Sequence, residues 1–298
     1  IAEIVPASNI EVTGSSAITK LKPGEQVEFK KTTTLIFDLG ETLLEQDHMK
    51  MASEIGLLDM MFYKDKDGLK DKLFAVLYRL GEQPKINGQL QAKSGEFIVP
   101  GIVCDWFAGK ISGKAVLEKV EVELEKLKEE NFFADKTERK IIKKALELMF
   151  DPEKLARITK PIKKSLKLIK QLSEATDSNG NPLYELFILS NWDKESFEIF
   201  YNSKNGQKLF KYFKPENIII SGNVGHIKPH THMFQHIIDK LHERKLVNKS
   251  NLNHEIKFID DQPENVEAAK NLKISGILFD KENHEGLIAE LSNHGICI

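Results

Sequence analysis

Cysteine is scarce in this chain. Two thiols, Cys104 and Cys297, among 298 residues do not make a disulfide framework, so free thiols in a reducing compartment are the expectation. A cytoplasmic location is expected on that ground, although Ile1 rather than Met at the start leaves room for a removed export signal. Long apolar runs are missing too, and no stretch approaches the roughly 18 residues that mark a membrane span. Neither sign of charge dominates: 43 Lys and Arg stand against 45 Asp and Glu, a net charge of −2. That balance removes the electrostatic case for nucleic acid or an acidic membrane as partner. Internal repeats and low-complexity tracts are also absent. What remains is a chain with 41% hydrophobic residues, enough for a sizeable core and, at this length, for an inserted second unit.

Residues 1–31 mix Gly, Ser, Pro and charge and read as an extension, with a strand near Val27. The run Thr34 to Phe37 is apolar on both faces, as a buried strand requires. Helical spacing follows from Met49 to Tyr63 and through Leu69, Leu73, Phe74, Leu77 and Leu80. Pro84, Gly88, Gly95 and Pro100 mark a mobile loop over 82–100. Ser112 is placed to cap a helix through Val116, Val120, Leu124 and Leu127, whose Lys and Glu residues form a solvated outer face. Another helix is predicted from Lys136 to Phe150. From Pro161 onward, helices alternate with strands at Tyr184–Leu189, Asn217–Ile220, Ile256–Ile259 and Ser275–Phe279. Alternation of this kind predicts a parallel sheet wound by right-handed crossovers. The fold class expected is therefore α/β, Rossmann-like. Residues 32–44 and 161–298 form its core, and a helical cap is inserted at 45–160, after the first strand.

The strand ends carry the chemistry. Asp38 closes the first strand in LIFDLGETLL, Ser190 closes another in FILSNW, and the pair Asp260–Asp261 closes a third in FIDDQPEN. Lys228 lies between them in GHIKPH. A carboxylate at the end of a buried strand is costly unless a cation or hydrogen bonds satisfy it, and open α/β sheets bind ligands at these ends. One such acid can be a turn cap; polar groups at three strand ends form a site.

In this order the four pieces resemble the motifs of the haloacid dehalogenase (HAD) superfamily. FIDDQPENVEAA and FILSNWD are most similar to the branch holding sugar-phosphate phosphatases and the phosphatase domain of soluble epoxide hydrolase. The receiver domain, another phosphoaspartate fold, places its acid pair first and is thereby excluded. The resemblance covers residues 34–44 and about 161–280. It implies Asp38 as nucleophile, Mg2+ as cofactor and a small phosphorylated metabolite as substrate. Asp38, the Gly40 carbonyl, Asp260 and Asp261 would hold the metal; Leu39, Gly40, Ser190, Asn191 and Lys228 would bind the phosphate. Asn265 would orient Asp261.

The family's first motif normally reads DxDx[TV], its second Asp being the proton donor to the leaving group. Here that position is Gly40. Glu41, one residue along, is the substitute considered for this catalytic role, and an acidic leaving group would need least help. A dehalogenase using Asp38 on carbon, or a non-catalytic phosphate-binding module, are the rival functions. Ser190–Asn191 has a second reading as a helix cap. A helix is expected to open at Pro229, and on it His232 and His236, one turn apart, have zinc spacing but lack a third ligand. Trp106 and Trp192 read as core anchors or pocket walls, the pocket reading being favoured for Trp192 because it follows Asn191, and Cys104 reads as a buried thiol.

Overall fold

The computed structural model describes residues 4–6, 26–28, 32–56, 58–59, 63, 66–82, 85–86, 89–90 and 99–298. Five parallel strands form the central sheet: β1 (Thr33–Phe37), β2 (Tyr184–Ser190), β3 (Ile218–Ile220), β4 (Ile256–Asp260) and β5 (Ser275–Leu278). Their spatial order is β5-β4-β1-β2-β3, so β1 sits at the centre. Side chains alternate across it. Leu35, Phe37, Leu186 and Ile188 enter one apolar layer with Leu168, Phe200 and Leu291. Ile36, Phe187, Leu189 and Phe258 enter the opposite layer with Phe234, Ile237 and Leu241. Both faces of the sheet are thus covered by helices, which is why its strands read as continuous apolar runs.

Between β1 and β2 the chain builds a helical unit with a core of its own, centred on Trp106, Val116, Leu124, Leu146 and Phe150. Its helices begin where side-chain caps were expected or have analogues. Ser112 accepts from the Ala115 amide at 3.2 Å, and Asp135 from the Glu138 amide at 2.8 Å; such caps contribute about 1 kcal/mol each. The unit leaves and re-enters the core through one short antiparallel pair, Leu44–Gln46 with Thr159–Pro161. It touches the core where Ser221 Oγ donates to the Phe107 carbonyl at 2.6 Å. Gly109 approaches Gly222 there so closely that a Cβ would lie 2.6 Å from the Gly222 carbonyl. That approach, with φ at +70°, requires glycine at 109.

The strand expected near Val27 is present as Gln26–Glu28, paired with Ile4–Pro6. The rest of 1–31 and most of 82–100 lie outside the described residues, apart from the two-residue pair Lys85–Ile86 with Gln89–Leu90. The helix placed at Met49–Tyr63 is described as His48–Ile55. The helix expected to open at Pro229 begins instead at Thr231, with His230 as its cap. No described helix is long and apolar enough to cross a membrane.

Candidate active site

Register brings the polar strand ends together. Phe37 is level with Ile188 on one side and Ile259 on the other. Asp38 therefore stands level with Leu189 and Asp260, and Ser190 and Asp261 lie one residue beyond. The Asp38 amide still donates to the Ile259 carbonyl at 2.9 Å, holding the acid at the sheet edge. Asp38, Asp260 and Asp261 bring carboxylate oxygens within 4.8 Å of one another.

Lys228 is buried among them. Its Nζ donates to Asp38 Oδ1 and to Asp260 Oδ2, both at 2.6 Å. Burial works against its charge, but Asp260 and Asp38 together hold the ammonium above the ordinary lysine range. Asp38 is pushed up by burial; Lys228 pulls it back and Asp260 adds to the push. Asp261 is raised to about 7, by burial first and then by the charges of Asp38 and Asp260.

The two acids of the pair have different duties. Asp260 is wholly buried, and its lone pairs are taken. Oδ1 accepts from the Gln262 amide at 2.8 Å and from Asn265 Nδ2 at 2.9 Å; Oδ2 accepts from Lys228 and again from Asn265 at 3.1 Å. It anchors the lysine, and its oxygens are more engaged than those of Asp261. Asp261 accepts only from Gln262 Nε2, at 2.6 Å. The expectation that Asn265 orients Asp261 is corrected: successive residues at a strand end point to opposite sides, and Asn265 lies on the Asp260 side.

Asn191 has a duty beyond the one expected. Its side chain clamps the backbone of Lys228, donating to the Lys228 carbonyl at 2.9 Å and accepting from the Lys228 amide at 2.7 Å. The side chain thus positions the lysine, while the phosphate role is expected of the backbone N–H groups. Nor do Ser190–Asn191 cap the next helix; Asp193 does, accepting from the Ser196 amide at 2.9 Å. Ser190, Asn191 and Gly40 line a cavity of about 410 Å³ between the strand ends and the helical unit. Leu39 packs its side chain into the core, and its amide donates to the Asp38 carboxylate.

At position 40 there is room. A Cβ there would meet only Asp38 Oδ2, at 3.8 Å. Glu41 lines the same cavity, but its carboxylate is engaged by Lys281 and it stands outside the acid cluster. Its backbone is left-handed, with φ at 52°, a conformation uncommon for glutamate. Farther from the strand ends the cavity wall is mostly apolar, with Leu44, Met51, Ile55, Leu148, Met149 and Leu155 among its residues. Trp106 and Trp192, open between two readings, are both: each is buried in a core cluster and each lines this cavity. Trp192 stacks on Phe200 at 5.5 Å between ring centroids, and its buried Nε1–H has no protein partner.

Three acids converge and one ammonium bonds two of them, so the cluster is short of positive charge once Asp261 gives up its proton. Hard oxygen ligands in that number suit a divalent cation such as Mg2+ better than a soft one.

No protein-family model matches the chain, and no curated protein matches it in sequence. Solved structures do match in three dimensions. One is a HAD family enzyme from Bacteroides thetaiotaomicron, 16% identical, covering 87% of this chain and 99% of that one with a TM-score of 0.50. The chain has the haloacid dehalogenase fold. A second structure of the same bacterial enzyme, a complex with magnesium and inorganic phosphate, is 16% identical and covers 84% and 95% of the two chains (TM-score 0.47). An L-2-haloacid dehalogenase from Xanthobacter autotrophicus with chloropropionic acid covalently bound is 13% identical, covering 90% and 85% (TM-score 0.45). The HAD core places all four of the predicted strand-end and loop pieces at one edge of the sheet.

Proposed function

We propose that the chain is a Mg2+-dependent phosphatase acting through an aspartyl phosphate on Asp38. The observation that carries this reading is the unbalanced cluster itself: Asp38, Asp260 and Asp261 converge, with Lys228 the one cation bonded there among the described residues. Asp38 and Asp261, whose oxygens are less engaged, would hold the metal, which would offset charge on the transferring phosphoryl group.

The remaining steps belong to the chain's own residues. An Asp38 oxygen attacks phosphorus in line with the ester oxygen, the P–O bond to the alcohol breaks, and the phosphoryl group stays on Asp38. Water then attacks the same phosphorus, restoring the carboxylate and releasing inorganic phosphate. Lys228, clamped by Asn191 and Asp260, neutralises charge at Asp38; an ammonium held so firmly is an electrostatic group and not a proton donor. The Ser190 hydroxyl offers a hydrogen bond to a phosphate oxygen. With glycine at 40 and Glu41 committed to Lys281, the leaving group takes its proton from water, so good leaving groups react fastest.

The helical unit at 45–160 would act as a cap that shapes the substrate and excludes water. Its apolar wall argues for a phosphate ester whose alcohol carries an apolar body, because sugar hydroxyls buried there would lose their hydrogen bonds. Rates for aryl and alkyl phosphates, set beside sugar phosphates with and without Mg2+, test this. Hydrolysis should favour the apolar esters, stop with EDTA, and fall about a thousandfold in Asp38→Asn, as expected when a covalent nucleophile is removed. Unchanged turnover in that variant sinks the reading. Chelator-insensitive halide release from a 2-haloacid would mean chemistry on carbon. Trapping of beryllium fluoride with Mg2+ and no turnover of any ester would mean a binding module.

A further inference from the structure

Five histidines fall between 226 and 242, and the pair one helical turn apart, His232 and His236, is not the one that converges. His226, His230 and His232 do: each brings a ring nitrogen within 4.8 Å of the other two. Their ring centroids are 4.7 to 5.2 Å apart, and His230 Nδ1 lies 3.1 Å from His232 Nδ1. A tetrahedral ion with metal–nitrogen bonds of about 2.0–2.1 Å holds its nitrogens about 3.3–3.4 Å apart. Two of the three donors therefore stand within a few tenths of an ångström of chelate spacing. The third, His226, is exposed and free to close the remaining distance by side-chain rotation.

The backbone explains the convergence. Gly225, at φ 82°, ends the short helix Ser221–Val224 and reverses the chain. The His230 amide returns to the Ile227 carbonyl at 2.9 Å, closing a tight loop, and His230 then caps the helix Thr231–Glu243. On one side this loop sends the buried Lys228 ammonium to Asp38; on the other it carries the three imidazoles, which are exposed or half-buried.

We infer that His226, His230 and His232 form a metal site for a zinc-class divalent ion, separate from the carboxylate cluster, fastening the loop that presents Lys228. Imidazole nitrogen favours zinc, cobalt, nickel or copper over magnesium. An anion held by imidazolium groups is the competing occupant, since a helix N-terminus and Lys110 lie nearby. The cap geometry opposes it. His230 Nδ1 accepts from the His232 amide at 3.3 Å, so this nitrogen is unprotonated, and a metal would take its lone pair in exchange for that long cap contact. The adverse dipole at the helix start is a small effect beside three coordinate bonds. This site does not depend on the phosphatase reading.

The test titrates the untagged chain with Co2+, in millimolar Mg2+ to occupy the carboxylates, and reads visible absorption. One Co2+ per chain should bind with the intense bands of four-coordinate nitrogen ligation, and Zn2+ should bleach them. His226→Gln and His232→Gln should each weaken binding at least tenfold with an unchanged circular dichroism spectrum, whereas Asp261→Asn should leave it within twofold of wild type. The inference is overturned if neither histidine variant alters binding, if Asp261→Asn abolishes it, or if no Co2+ band appears. Protection of the rings from alkylation by inorganic phosphate but not by Zn2+ would also overturn it, in favour of the anion.

Discussion

The central sheet buries acids at both of its ends and balances them in opposite ways. Near the start of β2, Glu185 is almost wholly buried. It receives Lys214 at 2.6 Å, Arg244 at 3.3 Å and Asn217 Nδ2 at 3.1 Å, so two cations and an amide serve one acid. At the opposite edge three acids converge, and one lysine bonds two of them. A fold seeking only stability would treat both ends as it treats Glu185, because unpaired buried charge is costly. On the proposed reading, the deficit at the Asp38 end is a cost accepted for the metal that would bind there.

Changing the charge at one end at a time sharpens that contrast. The largest effect expected is Gly40→Asp, which adds an acid where the space already exists. If a missing proton donor limits turnover, hydrolysis of esters with poor leaving groups should rise about a hundredfold, the scale of general acid catalysis. No gain in a correctly folded variant would place the limitation elsewhere. Next comes Glu185→Gln, which leaves Lys214 and Arg244, both partly exposed, facing a neutral group and should cost about 1.5 kcal/mol in denaturant unfolding, the low end for hydrogen bonds to a charged group. Asp261→Asn should do the reverse, raising the melting temperature of the EDTA-treated protein by a few degrees while abolishing its shift with Mg2+. If both variants destabilise, the contrast between the two ends is broken.

The smallest effect is a pH dependence. With Asp261 raised to about 7 by burial and its two acid neighbours, the folded chain keeps a proton that the unfolded chain loses near pH 4. This contribution to stability is complete below that value and is lost as the pH rises through 7. Metal-free protein should accordingly melt lower at pH 8 than at pH 5. Mg2+, competing with that proton, should raise the melting temperature more at pH 8. Equal shifts at the two values would remove Asp261 from the metal site.

Much of this was legible in the sequence because buried parallel strands are apolar on both faces. Thr34 to Phe37, Tyr184 to Leu189 and Ile256 to Ile259 stood out for that reason, and the acids that end them stood out by contrast. What could not be read is which way each polar side chain turns once its strand has ended. Asp260 and Asp261 are adjacent and share a composition, yet one is sealed around Lys228 and the other is half-buried, bonded by Gln262. The reciprocal bonds between Asn191 and Lys228 join residues far apart in the chain, with no local pattern to announce them. The histidines misled for a related reason. Their i, i+4 spacing assumed a helix from Pro229, and a start two residues later put His230 outside the helix and turned it toward His226.

The antiparallel pair Leu44–Gln46 with Thr159–Pro161 has a consequence for how this chain can change. Both ends of a long insertion are brought to one antiparallel pair, so the sheet meets the insertion there and at the Phe107–Ser221 contact. Loop closure grows costlier by about (3/2)RT ln n. By that scaling, an insertion of half or twice the length would change the closure cost by only about 0.6 kcal/mol, and the Phe107–Ser221 contact is what an exchange would have to rebuild. On the proposed reading the pair is a grafting point, where substrate preference would change while the strand ends keep their chemistry.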